Sequence, residues 1–201
     1  MLLKNTKMPI LKLIILNLII FTMDACHLFE EKPSTKETKP LESCVFPTQN
    51  GLEKIDRCVS KINHSYQLTA PALKQIKFNS NGLSTGYLGK NCFWAHLSGK
   101  VIQSHCYDNG PDYFKEGLAR YINSNQQFGF INSSLEVVIK AQYDFAFPFQ
   151  HGKSKVCTGC KRVQSKKGTH SSFSGGEWKI IDKKGKVITH CKKAKNSSEC
   201  N

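Results

Sequence analysis

The sequence predicts a mainly β protein in which tandem antiparallel β-hairpin repeats stack in one domain, with a short N-terminal helix as a cap. Similar segments recur at a spacing of 35 or 36 residues, which is the sequence signature of a repeat architecture. Each segment consists of two apolar stretches joined by a polar turn. Eight cysteines follow the N-terminal region, and an even number of cysteines is typical of a disulfide-stabilised exported domain.

Residues 1–25 have the composition of a secretory signal peptide. Three lysines precede the apolar run 13–21, and Ala25 stands directly before Cys26. A basic start, a short apolar run and a small residue before the cleavage site are the parts of such a signal. The run is shorter than the about 20 residues that a membrane-spanning helix needs. We therefore expect cleavage after Ala25, with an uncleaved anchor as the alternative.

Cys26 gives this region a second interpretation. A small residue and a cysteine directly after the apolar run resemble the lipobox of bacterial lipoproteins. The resemblance implies that Cys26 becomes the mature N-terminus and carries acyl chains, which together anchor a protein stably. An ordinary signal peptidase could cut the same bond. Residues 26–43 are polar and contain two prolines, so they form a flexible linker. The prediction is a membrane-anchored lipoprotein of the cell envelope or a periplasmic protein.

Residues 44–75 do not follow the repeat. Leu52, Ile55, Val59 and Ile62 are spaced as on one face of a helix. We therefore predict a short helix in this region, which covers one end of the repeat stack, because terminal repeats need such a cap.

The repeat domain is predicted to span residues 76–196, before a tail at 197–201. The segments 92–102, 128–138 and 178–188 read CFWAHLSGKVI, FGFINSSLEVV and WKIIDKKGKVI. A turn that ends in a left-handed glycine is a common hairpin connection, and Gly99 and Gly185 supply that glycine. Leu135 stands at the equivalent position, where a left-handed backbone is unfavourable, so an altered turn is expected.

These segments resemble the WG-repeat family. The resemblance is best at residues 128–132 and 178–188 and covers about residues 76–190. It implies an extended β-rich scaffold with an interaction surface and without an enzymatic activity. The aromatic residues of the second unit are predicted to be core residues rather than a ligand platform, because half-buried strands favour them. They are Phe130, Tyr143, Phe145, Phe147 and Phe149.

The eight cysteines allow 105 connectivities, so the sequence leaves the disulfide pairing open. Pairing of sequence neighbours is the simplest arrangement. It gives Cys44 with Cys58, Cys92 with Cys106, Cys157 with Cys160, and Cys191 with Cys200.

The net charge of +14 is concentrated near the C-terminus. Residues 157–176 form a polar, glycine-rich insertion that is predicted to be a loop. The basic residues around it indicate either attraction to an anionic surface or an ordinary solvated face. No nucleic-acid-binding motif is present, and no nucleic acid partner is expected. The candidate patch comprises Lys153, Lys155, Lys161, Arg162, Lys166, Lys167, Lys183, Lys184 and Lys186.

Cys157 and Cys160 have the Cys-x-x-Cys spacing of thiol redox proteins. The helical context that such proteins require is missing, so a structural disulfide is the preferred interpretation. No catalytic motif, cofactor fingerprint or metal-ligand spacing is found. Asp108 and Asp144 follow tyrosines at equivalent repeat positions, which indicates turn roles. The first hypothesis is a non-enzymatic envelope scaffold that binds a macromolecule or an anionic surface. The alternative is a periplasmic thiol-active protein.

Overall fold

The computed structural model describes residues 41–62, 65–107, 110–164, 171–191 and 200. Four features predicted from the sequence therefore lie outside the described residues: the signal peptide with Cys26, most of the linker, the lysines at 166 and 167, and Asp108. Within the described residues, antiparallel strands dominate, as the sequence predicts.

The described residues form fifteen strands and one six-residue helix. The helix α1 spans Ala70–Gln75. The strands are β1 Glu42–Thr48, β2 Gly51–Ile62, β3 Ser65–Leu68, β4 Leu83–Leu88, β5 Asn91–His96, β6 Lys100–Ser104, β7 Cys106–Tyr107, β8 Gly110–Pro111, β9 Ala119–Ile122, β10 Phe128–Ile131, β11 Val137–Tyr143, β12 Phe145–Ala146, β13 Lys153–Gln164, β14 Ser171–Asp182 and β15 Val187–His190.

The first six strands close into a barrel-like sheet. Their order is β6-β3-β2-β1-β4-β5, and a further pairing between β5 and β6 completes the ring. Phe46 and Phe93 are fully buried in its core. The disulfide between Cys44 and Cys58 lies in the same core and links β1 to β2. The barrel thus combines apolar packing with a covalent link between neighbouring strands.

Strand β6 connects the barrel to the rest of the molecule. Its start pairs with β3 through Lys100 and Val101, whereas Ser104 near its end pairs with Tyr121 of β9. The sheet therefore continues from the barrel into β9, β10 and β11. Strands β12 to β15 form a separate four-stranded sheet, and β7 and β8 form a two-stranded one. We call the extension formed by β9, β10 and β11 the second sheet, and the four-stranded sheet of β12 to β15 the third sheet. Side chains of the second and third sheets share one apolar core, which includes Phe130 and Val156.

The predicted repeat is present as a three-stranded antiparallel unit. The strands β4-β5-β6, β9-β10-β11 and β13-β14-β15 form three such units. Ser84, Ala119 and Ser154 are 35 residues apart in sequence, and all three are buried. The repeat spacing thus places a small residue in the interior at the same point of each unit's first strand.

The turn at Leu135 has the same form as the glycine turns, so the prediction of an altered turn is wrong. The amides of Gly99, Leu135 and Gly185 each donate to the carbonyl three residues earlier, at 2.8, 2.9 and 2.9 Å. Leu135 has a φ of 54°. Its side chain is fully buried in a cluster that includes Trp94 and Ile131. The left-handed backbone costs about 1–2 kcal/mol, and burial of the leucine offsets this with about 1.5–3 kcal/mol.

The predicted N-terminal helix cap is wrong, because β1, β2 and β3 occupy most of this region. A register shift in β2 explains the error. Glu42 of β1 pairs with residue 59 of β2, and Cys44 pairs with residue 55. Two residues along β1 thus correspond to four along β2, so β2 contains a bulge. Arg57 within this bulge has a φ of 52°. The bulge places the buried residues at 55, 58 and 59, which imitates helical spacing. Leu52 is 62% exposed.

The prediction of a loop at residues 157–176 is also wrong for most of its length. Strands β13 and β14 pair from Lys153 opposite Asp182 to Gln164 opposite Ser171. Both strands therefore extend through the glycine-rich segment. Glycine and polar residues are typical of loops, and the prediction relied on them. Here the backbone of each strand finds its hydrogen-bond partners in the other strand, so the segment is extended despite this composition.

We expect Leu135→Ala to destabilise the protein by about 2–5 kcal/mol, because it leaves a cavity in a buried cluster. Leu135→Gly should lose less stability than Leu135→Ala by about 1 kcal/mol, because glycine adopts the left-handed backbone without strain. Urea denaturation of the wild type and both variants measures the difference. A glycine variant as stable as the wild type would contradict this expectation, because burial of the leucine would then only balance the strain of its backbone.

Candidate functional site

A buried ion pair lies where the three sheets meet. Asp112 directly follows β8, and Arg120 is the second residue of β9. The Arg120 guanidinium donates through Nη2 to Oδ1 of Asp112 at 2.7 Å and through Nε to Oδ2 at 2.8 Å. Each side chain is 4% exposed. This two-point geometry gives the strong and directional form of the carboxylate–guanidinium interaction.

Further hydrogen bonds connect the ion pair to strands β5, β6 and β12. Arg120 Nη1 donates to the carbonyl of Ala146 in β12 at 2.8 Å. Trp94 Nε1, from the barrel strand β5, donates to the Asp112 carbonyl at 3.0 Å. Ser104 Oγ donates to the Arg120 carbonyl at 3.0 Å. A buried ion pair needs such partners to compensate for the loss of water. The network therefore holds the second and third sheets on the barrel.

His105 lies beside this network. Burial, and then the positive charge of Arg120, lower the pKa of His105 to about 4. Its ring centroid is 5.2 Å from that of Phe128, and its carbonyl accepts a hydrogen bond from the Asp112 amide at 2.8 Å. The imidazole is therefore neutral at physiological pH, and its protonation opposes the folded state.

A cluster of four aromatic rings lies on the third sheet. Phe145 stacks on Phe173 with centroids 4.1 Å apart and contacts Phe147 edge-on at 5.0 Å. Trp178 lies 6.2 Å from Phe147 and 6.4 Å from Phe145. Phe147 is 44% exposed, and the other three rings are half-buried. We call these four rings, together with Lys155, the aromatic–basic surface.

One of these rings corrects the sequence prediction. Phe130, Tyr143 and Phe149 are buried, as predicted, and Phe145 is half-buried and packs against the same core. Phe147 is exposed, so its assignment to the core is wrong. The reason is that Phe147 follows β12, at the edge of the third sheet.

Glycines on the hairpin bring Phe173 to the same side as Trp178. Strict alternation would place residues five apart in a strand on opposite faces, yet both rings contact Phe145. Gly159, Gly175 and Gly176 have positive φ values of 76°, 75° and 67°, which interrupts the alternation. A Cβ on Gly176 would lie 2.4 Å from the Cys160 amide nitrogen, so glycine is required there.

Lys155 is the cation of this surface. Its ammonium nitrogen lies over the Trp178 ring, 5.0 Å from the centroid. A cation at this distance is attracted by the negative face of the indole. Burial lowers the pKa of Lys155. The cation is thus held against the cluster of rings.

The repeat relates this surface to the buried ion pair. Lys155 stands 35 residues after Arg120, and Phe147 stands 35 residues after Asp112. The register agrees, because Arg120 faces Phe130 in its unit and Lys155 faces Ile180 in the next. The same two positions therefore form an internal ion pair in one unit and a surface cation with an exposed ring in the other. Comparison of the repeat units could have revealed this, but the sequence prediction did not include Asp112 or Arg120.

The other predicted basic residues do not form one patch. Strands β13 and β14 form a long hairpin, and Lys161 and Arg162 are exposed near its end at Gln164. Arg162 is opposite Phe173 there. Lys183, at the opposite end, pairs with Glu116 at 3.2 Å. The two ends are about 30 Å apart at about 3.3 Å per residue. Near Lys183 lie Lys153, Lys184 and Lys186.

The cysteines pair with their sequence neighbours, as the simplest arrangement predicts. Cys157 is fully buried and Cys160 is 7% exposed, and both lie within β13. Asp144 accepts a hydrogen bond from the amide of Gly159, between the two cysteines, at 2.5 Å. The sequence predicts a turn role for Asp144. In the structure its carboxylate accepts this hydrogen bond and so fixes the backbone of the Cys-x-x-Cys segment.

We expect Arg120→Met to destabilise the protein by about 3–5 kcal/mol, because Asp112 would remain buried without its counter-charge. The double variant Asp112→Leu/Arg120→Met should be more stable than the single variant. Urea denaturation of the three proteins and the wild type gives the coupling between the two positions. The exposed pair of Lys54 and Asp56 provides the control, since Asp56→Asn should leave stability unchanged. Equal stability of the wild type and Arg120→Met would contradict the structural role.

The lowered pKa of His105 predicts a loss of stability in mild acid. In the unfolded chain the imidazole binds its proton near its ordinary pKa of 6.5, but in the folded protein only near 4. Stability should therefore fall as the pH decreases from about 6.5 to about 4. His105→Gln should show a smaller decrease in its urea midpoint between pH 7 and 4.5. His190→Gln, at an exposed position, should keep the wild-type decrease. Identical pH profiles for all three proteins would refute the assignment to His105.

Comparison with known proteins identifies one segment. No curated protein and no solved structure matches the chain. Among the residues that the structure describes, no helix is long and apolar enough to cross a membrane. The family model of the WG containing repeat matches residues 128–159, which begin with β10 and end within β13. This segment contains Phe145, Phe147 and Lys155 of the aromatic–basic surface, and it is similar to the WG containing repeat.

Proposed function

We propose that this protein is a non-enzymatic binding protein of the cell envelope, and that the aromatic–basic surface is its binding site. The observation that carries the proposal is the cluster of half-exposed rings beside a cation on the third sheet. Contiguous apolar groups on a protein surface commonly mark an interaction site. Aromatic side chains also contribute a large share of binding energy where they contact a partner.

The rigidity of the surface supports a binding role. The rings contact each other at 4.1 to 6.4 Å, and Trp178 Nε1 donates to the Gly175 carbonyl at 2.9 Å. The disulfide between Cys157 and Cys160 and the contact of Asp144 with Gly159 hold the adjacent strand. A surface that is ordered before binding loses less conformational entropy when a ligand binds.

The proposed location outside the cytoplasm has independent support. Four disulfides fit an extracellular or periplasmic compartment, since cytosolic thiols are kept reduced. Residues 1–25 resemble a signal peptide, which would direct the protein out of the cytoplasm. Lipidation of Cys26 would then anchor it to the membrane. In this proposal the residues between Cys26 and β1 separate the folded domain from that anchor.

A thiol-active role of Cys157 and Cys160 has less support. Reactive cysteines are accessible and often lie at the start of a helix. Cys157 is fully buried in a strand, and the carboxylate of Asp144 contacts the segment between the cysteines. A nearby negative charge disfavours a thiolate. These features favour a structural disulfide.

Crosslinking in intact cells, followed by capture of the full chain, tests the proposal. Phe147→Ala should lose most of the crosslinked material, because it removes the most exposed ring of the surface. Tyr113→Ala is the matched control, since Tyr113 is a 57% exposed aromatic residue outside the surface. Equal crosslinking of Phe147→Ala and the wild type would refute the proposed site.

The same cells test the anchor. Cys26→Ser should move the protein from the membrane fraction to the soluble fraction and abolish labelling with radioactive palmitate. An unlabelled wild-type protein would show that Cys26 does not carry a lipid, without affecting the result at Phe147.

A further inference from the structure

We propose that the ligand of the aromatic–basic surface is an acidic polysaccharide, which contacts the rings with the apolar faces of its sugars and the cations with its carboxylates. This inference rests on the proposed function, because it names the ligand class of the same site.

The rings form a small cluster rather than a broad patch. Phe145, Phe147 and Trp178 contact one another at centroid distances of 5.0 to 6.4 Å, and Phe173 stacks on Phe145 at 4.1 Å. A stable interface with a folded protein buries about 800 Å² on each partner. A cluster of four rings suits a chain-like ligand better. The negative faces of aromatic rings attract the weakly positive C–H groups of such a ligand.

The burial of the rings argues against insertion into a lipid bilayer. A membrane-inserting surface places its apolar side chains about 5–10 Å into the lipid. Here Phe145, Phe173 and Trp178 are half-buried and packed against each other, and only Phe147 is 44% exposed. These rings can therefore contact a ligand that lies on the surface, but they do not project into an apolar phase.

Two cations lie beside different rings of the cluster. Lys155 is placed over Trp178, and Arg162 is opposite Phe173 in the hairpin. Lys155 and Arg162 are seven residues apart in β13, which corresponds to about 23 Å at about 3.3 Å per residue. A ligand that reaches both cations therefore extends over several sugar units and carries more than one negative charge.

The repeat indicates that this combination is specific to the last unit. Its positions 147 and 155 correspond to Asp112 and Arg120, which form the internal ion pair of the preceding unit. In the last unit an aromatic ring replaces the carboxylate, while the positive charge is retained. The replacement converts a structural ion pair into a cation beside an exposed ring, which together can contact the carboxylate and the apolar face of an acidic sugar.

Isothermal titration calorimetry with the full chain in its disulfide-bonded form tests the ligand class. The probe is polygalacturonate, and its fully methyl-esterified form has the same backbone without the charge. We expect polygalacturonate to bind at least tenfold more tightly than the ester, and salt should weaken this binding. Phe147→Ala and Lys155→Gln should each reduce the affinity at least tenfold. The matched controls Tyr113→Ala and Lys74→Gln, at exposed positions outside the surface, should retain it.

Other probes provide the contrary outcomes. Tighter binding of polyglutamate, of a single-stranded oligonucleotide or of phosphatidylglycerol vesicles than of polygalacturonate would overturn the polysaccharide assignment. So would equal affinities of the wild type and Phe147→Ala. If Phe147→Ala abolishes crosslinking in cells while polygalacturonate fails to bind, the ligand class is wrong and the binding site stands. If crosslinking is unaffected by Phe147→Ala, the proposed function itself fails.

Discussion

The buried ion pair of Asp112 and Arg120 is the interaction on which the arrangement of the sheets depends. Arg120 belongs to the second unit, and its guanidinium also bonds to Ala146 at the edge of the third sheet. Trp94 of the barrel bonds to the backbone of Asp112. A guanidinium has several fixed donor directions, so one side chain can orient several backbone segments at once. Apolar packing alone is not directional and would allow the sheets to slide.

The same repeat position serves different purposes in successive units. Arg120 is buried, and Asp112 compensates its positive charge. Lys155, 35 residues later, lies over the indole ring of Trp178 at the surface. A repeat constrains the backbone through its turns and strand pairing, and it leaves the side chains free to diverge where a unit has a different neighbour. The last unit continues as a long hairpin with glycines at 159, 175 and 176, and this hairpin gathers the aromatic rings. Divergence from the repeat is thus where the candidate function lies.

Sequence reasoning succeeded where one local rule decided the structure. The repeat spacing and the turns at Gly99 and Gly185 were predictable. The sequence left the cysteine pairing open, and the simplest arrangement, between sequence neighbours, is the one that forms. It failed where a long-range contact reversed a local preference. Leu135 accepts a left-handed backbone because its side chain is buried, and the bulge at Arg57 gives a strand the spacing of a helix.

The sequence by itself determined that the chain forms repeated antiparallel hairpins, because strand alternation and turn residues act over a few neighbouring residues. Only the tertiary structure decided that β6 pairs with β3 at its start and with β9 at its end. It also decided which charges are buried and which rings are exposed. Burial depends on the residues that meet from distant parts of the chain. Phe147 and Phe149 are two residues apart in sequence, yet one is exposed and the other is buried.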